Sequence, residues 1–227
     1  MKVYCAGPLF NIKEQEEMAE IAEALENNGY DTFLPQRDGL ELSKISKYLE
    51  KHLKSNDKVN ALLVKAIFSL DIFQVINSNA LILNMNGRVP DEGAMVEAGV
   101  AWSSDIPVVI YKNDSRSTFN GTDNPMVLGL SNFEIINDVE KIPAKVNSVI
   151  FENKNNHVPL NFLKVVDFGK KITDIMSSLT DCETKAIKLL KMFQREEDET
   201  DHSNRLREKD LHSSQRDIEH QIQRSHI

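Results

Sequence analysis

Four carboxylates stand where carboxylates are costly. Asp91, Glu92 and Glu97 fall within seven positions of "VPDEGAMVEAGVAW" (89–102), and Asp71 interrupts the apolar run "LLVKAIFSLDIFQVI" (62–76). An acid among small apolar residues is expensive to bury unless it is paired or put to use. Two such acids close together suit glycosidic chemistry: one attacks the anomeric carbon or steadies an oxocarbenium ion, while the other protonates the leaving group. The same residues also have plainer readings. Asp91 can be a helix N-cap, Glu92 a first-turn partner of the helix dipole, and Glu97 and Asp71 exposed helix acids. From the residues alone both readings of Asp91, Glu97 and Asp71 stay open.

Other chemistries lack their residues. The turn "AGPLF" (6–10) follows a strand-like run but carries neither GxGxxG nor GK[ST], so it is not a dinucleotide or nucleotide-phosphate loop. There is no G-x-S-x-G for a serine hydrolase. Cys5 has no neighbouring His or basic residue and reads as a core thiol. Cys5 and Cys182 form no CxxC, and four of the six histidines (His202, His212, His220, His226) lie 10, 8 and 6 residues apart, unlike compact ligand pairs. No metal and no cofactor are expected. A net charge of −8 argues against nucleic acid or an anionic membrane as partner. The start "MKVYCAGPLF" lacks the long apolar region of a signal peptide, and no stretch is expected to reach the ~20 apolar residues of a membrane span. Two well-separated cysteines fit a reduced compartment, so a cytoplasmic location is expected.

These residues need elements to hold them. "KVYCAG" reads as a buried strand. Residues 12–28 place Met18, Ile21, Ala22 and Leu25 on one face of a helix stopped by Gly29. "YDTFLPQ" is a second strand closed by Pro35. A polar helix near 41–54 and an apolar one near 59–77 follow. "ALILNM" (80–85) and "IPVVIY" (106–111) are continuous aliphatic runs of the kind buried in parallel sheets. The order β-α-β-α-α-β-α-β predicts a doubly wound α/β domain whose ligands gather at the carboxyl ends of the strands. There lie "GPLFN" (7–11), "PQRDG" (35–39), "NGRVPDEG" (86–93) and "TDNPMVLG" (122–129). Beyond about 145 the character changes: 158–179 predicts an amphipathic helix, and 194–227 is too polar to offset the entropy of ordering, although Leu211, Ile218 and Ile222 keep a weak helical spacing. The division expected is a catalytic domain over 1–145, a helical extension over 146–193 and a polar, disordered tail over 194–227.

Together, "YCAGPLF", "LPQRDG", Asp71, "DEGAMVEAGVAW" and "NPM" make residues 1–140 resemble the nucleoside 2-deoxyribosyltransferase family. The resemblance implies a flavodoxin-like parallel sheet of about five strands with a C-terminal helix and polar tail. It implies that 2-deoxyribose passes between nucleobases by double displacement, with a 2′-deoxyribonucleoside and a free nucleobase as partners. Glu97 is then the nucleophile, Tyr4 orients its carboxylate, and Asp71 helps protonate the departing base. Asp91 holds the deoxyribose hydroxyls, Gln36 lines the base pocket, and Gly7, Phe10 and Gly93 border the substrate. Asn124 and Met126 complete a neighbouring subunit's site, making the active unit a homo-oligomer, a dimer or hexamer. Ala94 departs from the family, many of whose members carry Thr there, as does the C-terminal extension. Two alternatives stay beside this reading. One is a hydrolytic N-glycosidase of deoxynucleosides or their 5′-monophosphates, for which Arg37, Arg88, Ser115 and Ser117 are candidate phosphate ligands. The other is a nucleotide-sensing binding protein.

Overall fold

The structure, a computed structural model, describes residues 1–39, 55–87, 90–117, 122–155 and 161–178, with single positions at 45, 46, 49, 50, 181, 184, 188, 191 and 192. The polar helix expected near 41–54, Arg88, Cys182 and the 194–227 tail with its four histidines lie wholly or mostly outside the described residues.

Five parallel strands form one sheet: β1 (Lys2–Ala6), β2 (Asp31–Phe33), β3 (Ala80–Asn84), β4 (Val108–Tyr111) and β5 (Ile135–Ile136). Their order is β2-β1-β3-β4-β5. This is the flavodoxin-like order, with its switch point between β1 and β3. Helices α1 (Ile12–Glu26), α2 (Pro35–Asp38), α3 (Asn56–Ile76), α4 (Glu92–Ser103), α5 (Pro125–Leu128) and α6 (Ile142–Asn155) complete this unit. The fold matches the expectation. Differences are local: Pro35 does not close β2 but opens α2, since its fixed φ and missing N–H suit a helix's first position. β5 is only two residues long, and no periodic run announced it.

Alternation along β1 divides the core in two. Val3 and Cys5 face one layer with Met18, Ile21 and Leu25 of α1 and Ile142, Val146 and Ile150 of α6. Tyr4 and Ala6 face the other, with Val75 of α3 and Ala94, Ala98 and Ala101 of α4. Alanines at this spacing let α4 pack close against the sheet. The boundary expected near 145 falls inside α6, and the first compact unit runs to Phe162. In the second unit, Leu163–Ile227, the described residues belong chiefly to the helix α7 (Asn161–Ser178), which matches the helix expected over 158–179. Lys171 pairs with Asp167 one turn away on it (2.7 Å).

α3 departs from the reading of the sequence in one respect. By length and composition alone it is apolar enough to cross a membrane. Its charged residues, Asp57 and Lys58 in the first turn and Lys65 and Asp71 farther on, are too few to offset the remaining side chains. Val59, Leu63 and Val75 are buried, yet Val64, Phe68, Phe73 and Ile76 remain exposed.

Candidate active site

Tyr4 lies wholly inside the unit, its ring stacked on Phe33 with centroids 5.5 Å apart. Being the middle residue of a central strand fixes its backbone on both sides, by β2 and by β3. Its hydroxyl is therefore delivered at a set height, where Oη donates to Glu97 Oε1 at 2.7 Å. Burial, then the charge of Glu97, pushes the Tyr4 hydroxyl far above the ordinary phenol range, so it stays protonated and remains a donor.

Glu97 sits in the second turn of α4. Its pKa is raised to about 7, first by burial, with the neighbouring charges of Asp71 and Asp91 adding to the rise and the Tyr4 hydrogen bond opposing it. Asp71, on α3, is itself raised by burial. Asp91 caps α4, its Oδ1 accepting from the Ala94 N–H at 2.7 Å, while Glu92 falls in the first turn as a dipole partner would. The structure thus brings together Tyr4, Glu97, Asp71 and Asp91, on the β1, α3 and α4 side of the sheet. Asp91 is a cap whatever else it does.

The remaining expected residues fall into two groups. Gly7 is buried directly after β1, and a Cβ there would meet Met18 Sδ at 2.5 Å and Asn84 Cβ at 2.9 Å, so only glycine lets the chain pass. Gly93 is exposed in the first turn of α4, and a Cβ would lie 3.2 Å from Asp91 Oδ1. Phe10 and Met126 are both exposed, at 83% and 81%. Gln36 is turned the other way: its amide donates to the Gln15 carbonyl on α1 (2.9 Å). Asn124 caps α5 by accepting from the Met126 N–H (3.0 Å). Arg37 is engaged by Glu26 and Asp38, and Ser115 is exposed beyond β4. Cys5 is buried and its thiol pushed up to about 12, which suits the core role expected of it.

A polar network went unread in the sequence. Asn84, fully buried, donates to Glu17 Oε2 (3.0 Å), and Asn86 donates to Glu17 Oε1 (2.6 Å). Asn86 Oδ1 in turn accepts the N–H groups of Asn113 (2.9 Å) and Asp114 (3.0 Å). The signal available was two asparagines ending an apolar strand, where turn residues are common and uninformative. Among the described residues, no group of three or more His, Cys, Asp and Glu could hold a metal ion.

Desolvated acids around one hydrogen-bonded carboxylate can attack, protonate or stabilise positive charge. The family model described as Nucleoside 2-deoxyribosyltransferase matches residues 3–163. The chain is similar in structure to a conserved protein from Enterococcus faecalis V583, at 23% identity over 65% of this chain and 98% of that one (TM-score 0.49). It is similar to a 2-deoxyribosyltransferase from Bacillus psychrosaccharolyticus, at 18% identity over 64% of this chain and 96% of that one (TM-score 0.46). The Clostridium botulinum CMP N-glycosidase BcmB is similar at 13% identity, over 65% and 99% of the two chains (TM-score 0.38). No curated protein matches the chain.

Proposed function

We propose that this chain, which belongs to the nucleoside 2-deoxyribosyltransferase family, transfers 2-deoxyribose between nucleobases through a covalent ester on Glu97. Membership supports an enzyme of the deoxyribosyltransferase or N-glycosidase class; the choice between them is our reading. One observation carries it: the Tyr4–Glu97 hydrogen bond of 2.7 Å, on a carboxylate whose neighbours are two further acids.

In the first step Glu97 Oε attacks C1′ of the deoxyribonucleoside as the glycosidic C–N bond breaks. The base leaves with a proton from Asp71. In the second step an incoming base attacks C1′, the ester bond breaks, and Asp71 takes up the proton released. Two inversions at one carbon give retention. Positive charge develops on the sugar among three acids, in a site that burial has made less able to screen them, and this stabilises the transition state. Asp91 contacts the sugar hydroxyls with the lone pairs its cap leaves spare. Gly7, Gly93 and Phe10 border the substrate, and Gln36 meets the base after its amide turns from Gln15. No cofactor is called for.

The reading includes a homo-oligomer in which Asn124 and Met126 close a neighbour's site. It is supported by the seam Ala61, Val64, Phe68, Ile72 and Ile76 on α3. These residues follow one another at helical spacing, and Val64, Phe68 and Ile76 stand 66%, 63% and 45% exposed. Such a surface calls for a partner. A cytoplasmic location belongs to the same reading, on the chain's charge and cysteine usage.

Deoxyinosine with free adenine is expected to yield deoxyadenosine, and Glu97→Ala to abolish it; full turnover by that variant would refute the assignment. Base released at the same rate with and without an acceptor would make the enzyme a hydrolase. No release by the intact chain, with nucleotide still bound, would make it a sensor.

A further inference from the structure

Tyr4 reaches Glu97 at the end of a long lever. A swing of about 10° about its Cα–Cβ bond would move Oη by about 1 Å, enough to lose the hydrogen bond. Backbone pairing fixes where the side chain starts, not where the ring points. β1 lies between β2 and β3, and the residues in register with Tyr4 are Phe33 and Leu81, all three in one core layer. Leu81 supplies volume. Phe33 supplies a plane: its ring stacks on that of Tyr4 with 5.5 Å between centroids and 21° between planes, within the range that aromatic pairs favour.

The Phe33 ring is itself held. It is buried, and Lys2 Nζ lies 5.4 Å from its centroid, within cation–π range. Lys2 stands two residues before Tyr4 on β1 and so projects from the same face of the sheet. Its ammonium donates to the side-chain oxygen of Gln74 on α3, three residues from Asp71. After Phe33 the chain turns at once into α2, where Asp38 Oδ2 accepts the Leu34 N–H (2.8 Å). Phe33 has no proton or charge to give, so its effect passes through the ring it stacks on. We propose that Phe33 is a positioning residue: stacked on Tyr4, it aims the phenol Oη at Glu97 and so sets the orientation of the attacking carboxylate. This rests on the reading of Glu97 as the nucleophile.

Glu97 is faced by Tyr4 from β1, by Asp71 from α3 and by Asp91 from the start of α4. Phe33→Leu changes none of these groups and stays apolar, but it has no plane. Its expected effect is that of a weakened Tyr4–Glu97 bond. kcat should fall about fivefold with KM within about twofold of the parent, because a mis-aimed nucleophile is felt in the chemical step. The titration of the Glu97 carboxyl, followed by NMR of the isotope-labelled side chain, should move up by about half a pH unit, the direction expected of Tyr4→Phe. Phe33→Tyr keeps the ring and should keep kcat within about twofold, with the titration in place. In the Tyr4→Phe background, Phe33→Leu should change kcat by less than about twofold and add no shift.

Circular dichroism and the thermal midpoint follow folding in every variant, and Phe33→Met takes the place of Phe33→Leu should the latter not fold. A residue that only fills the core would lower the midpoint while kcat and the Glu97 titration of the folded protein stayed unmoved, and that result overturns the proposal. So do equal effects of Phe33→Leu with and without the Tyr4 hydroxyl, and so does a folded Phe33→Tyr protein with the kcat of Phe33→Leu. The titration needs no turnover. If the parent protein cleaves no deoxyribonucleoside, the enzymatic reading fails, and with it any part of Phe33 in that reaction. An upward shift in Phe33→Leu that vanishes in the Tyr4→Phe background would still show Phe33 aiming Tyr4 at Glu97, and its absence would refute that as well.

Discussion

Replacing Glu97 by Gln should make the protein more stable above neutral pH while removing its chemistry. Glu97 holds its proton to about pH 7 in the folded chain, against an ordinary value of 4.5. A carboxyl raised on folding contributes most below its unfolded pKa, and that contribution is lost as pH rises through the folded value. The unfolded chain then ionises freely, while the folded chain must keep a charge beside Asp71 and Asp91. The gap of 4.5 to about 7 amounts to about 3 kcal/mol in full, of which about 1 kcal/mol is already lost at pH 5. Glutamine has no charge to desolvate, and its amide oxygen can still accept from Tyr4 Oη.

The variant's advantage over the parent should therefore grow by about 2 kcal/mol between pH 5 and pH 8.5. For a folded unit of this size that is roughly 4–8 °C in thermal midpoint. The assay is paired thermal and urea denaturation of parent and variant at both pH values. Contributions from every other titrating group cancel in the difference between the two proteins, to the extent that they do not interact with Glu97. A difference that stays constant with pH, or that turns against the variant at pH 8.5, would refute the claim that Glu97 is held protonated by its surroundings.

Three further outcomes are expected. The acid limb of kcat/KM should fall near pH 7, where Glu97 gains its proton; Asp71→Asn removes a like charge and should move that limb down, while Tyr4→Phe removes a donor and should move it up, as a pH–rate series would record. Tyr4→Phe should also lower kcat/KM at its optimum by about tenfold, measured by chromatography of the bases, since the hydroxyl that donates to Glu97 is gone. Val64→Glu should leave the fold intact, because Val64 is 66% exposed, but should shift sedimentation toward the monomer and make activity steeply concentration-dependent; an undiminished oligomer would dismiss the α3 seam as the interface.

What could be read from the chain was set by distance along it. The strands β1, β3 and β4 are short apolar runs, and the turn after α1 closes at Gly29, whose φ of +81° a glycine adopts cheaply. Those are local facts. The candidate acids were also legible, because an Asp or Glu in an apolar stretch stands out by itself. Their company was not: Tyr4 and Glu97 are 93 positions apart, and nothing local states that one bonds the other. That pairing was anticipated only through the family resemblance. The Glu17–Asn84–Asn86 network spans 67 to 69 positions with residue types common in loops, so neither pattern nor resemblance marked it. Gln36 shows the reverse case, a residue named for the site whose amide is turned to α1. β5 escaped because two residues carry no periodicity.

The hydrogen-bonded pair at the centre is unequal in what the fold asks of it. Tyr4 fills core volume against Phe33, so removing its ring would hollow the protein. Glu97, its pKa raised to about 7 by burial, is instead expected to cost the fold stability at neutral and higher pH. In a lineage that no longer needed the reaction, selection for stability alone would retain the tyrosine and let the glutamate drift. A relative with the tyrosine in place and an amide or alanine opposite it would then be a fossil of the activity, and the glutamate, the member that is costly to hold, is the trait by which a working enzyme declares itself.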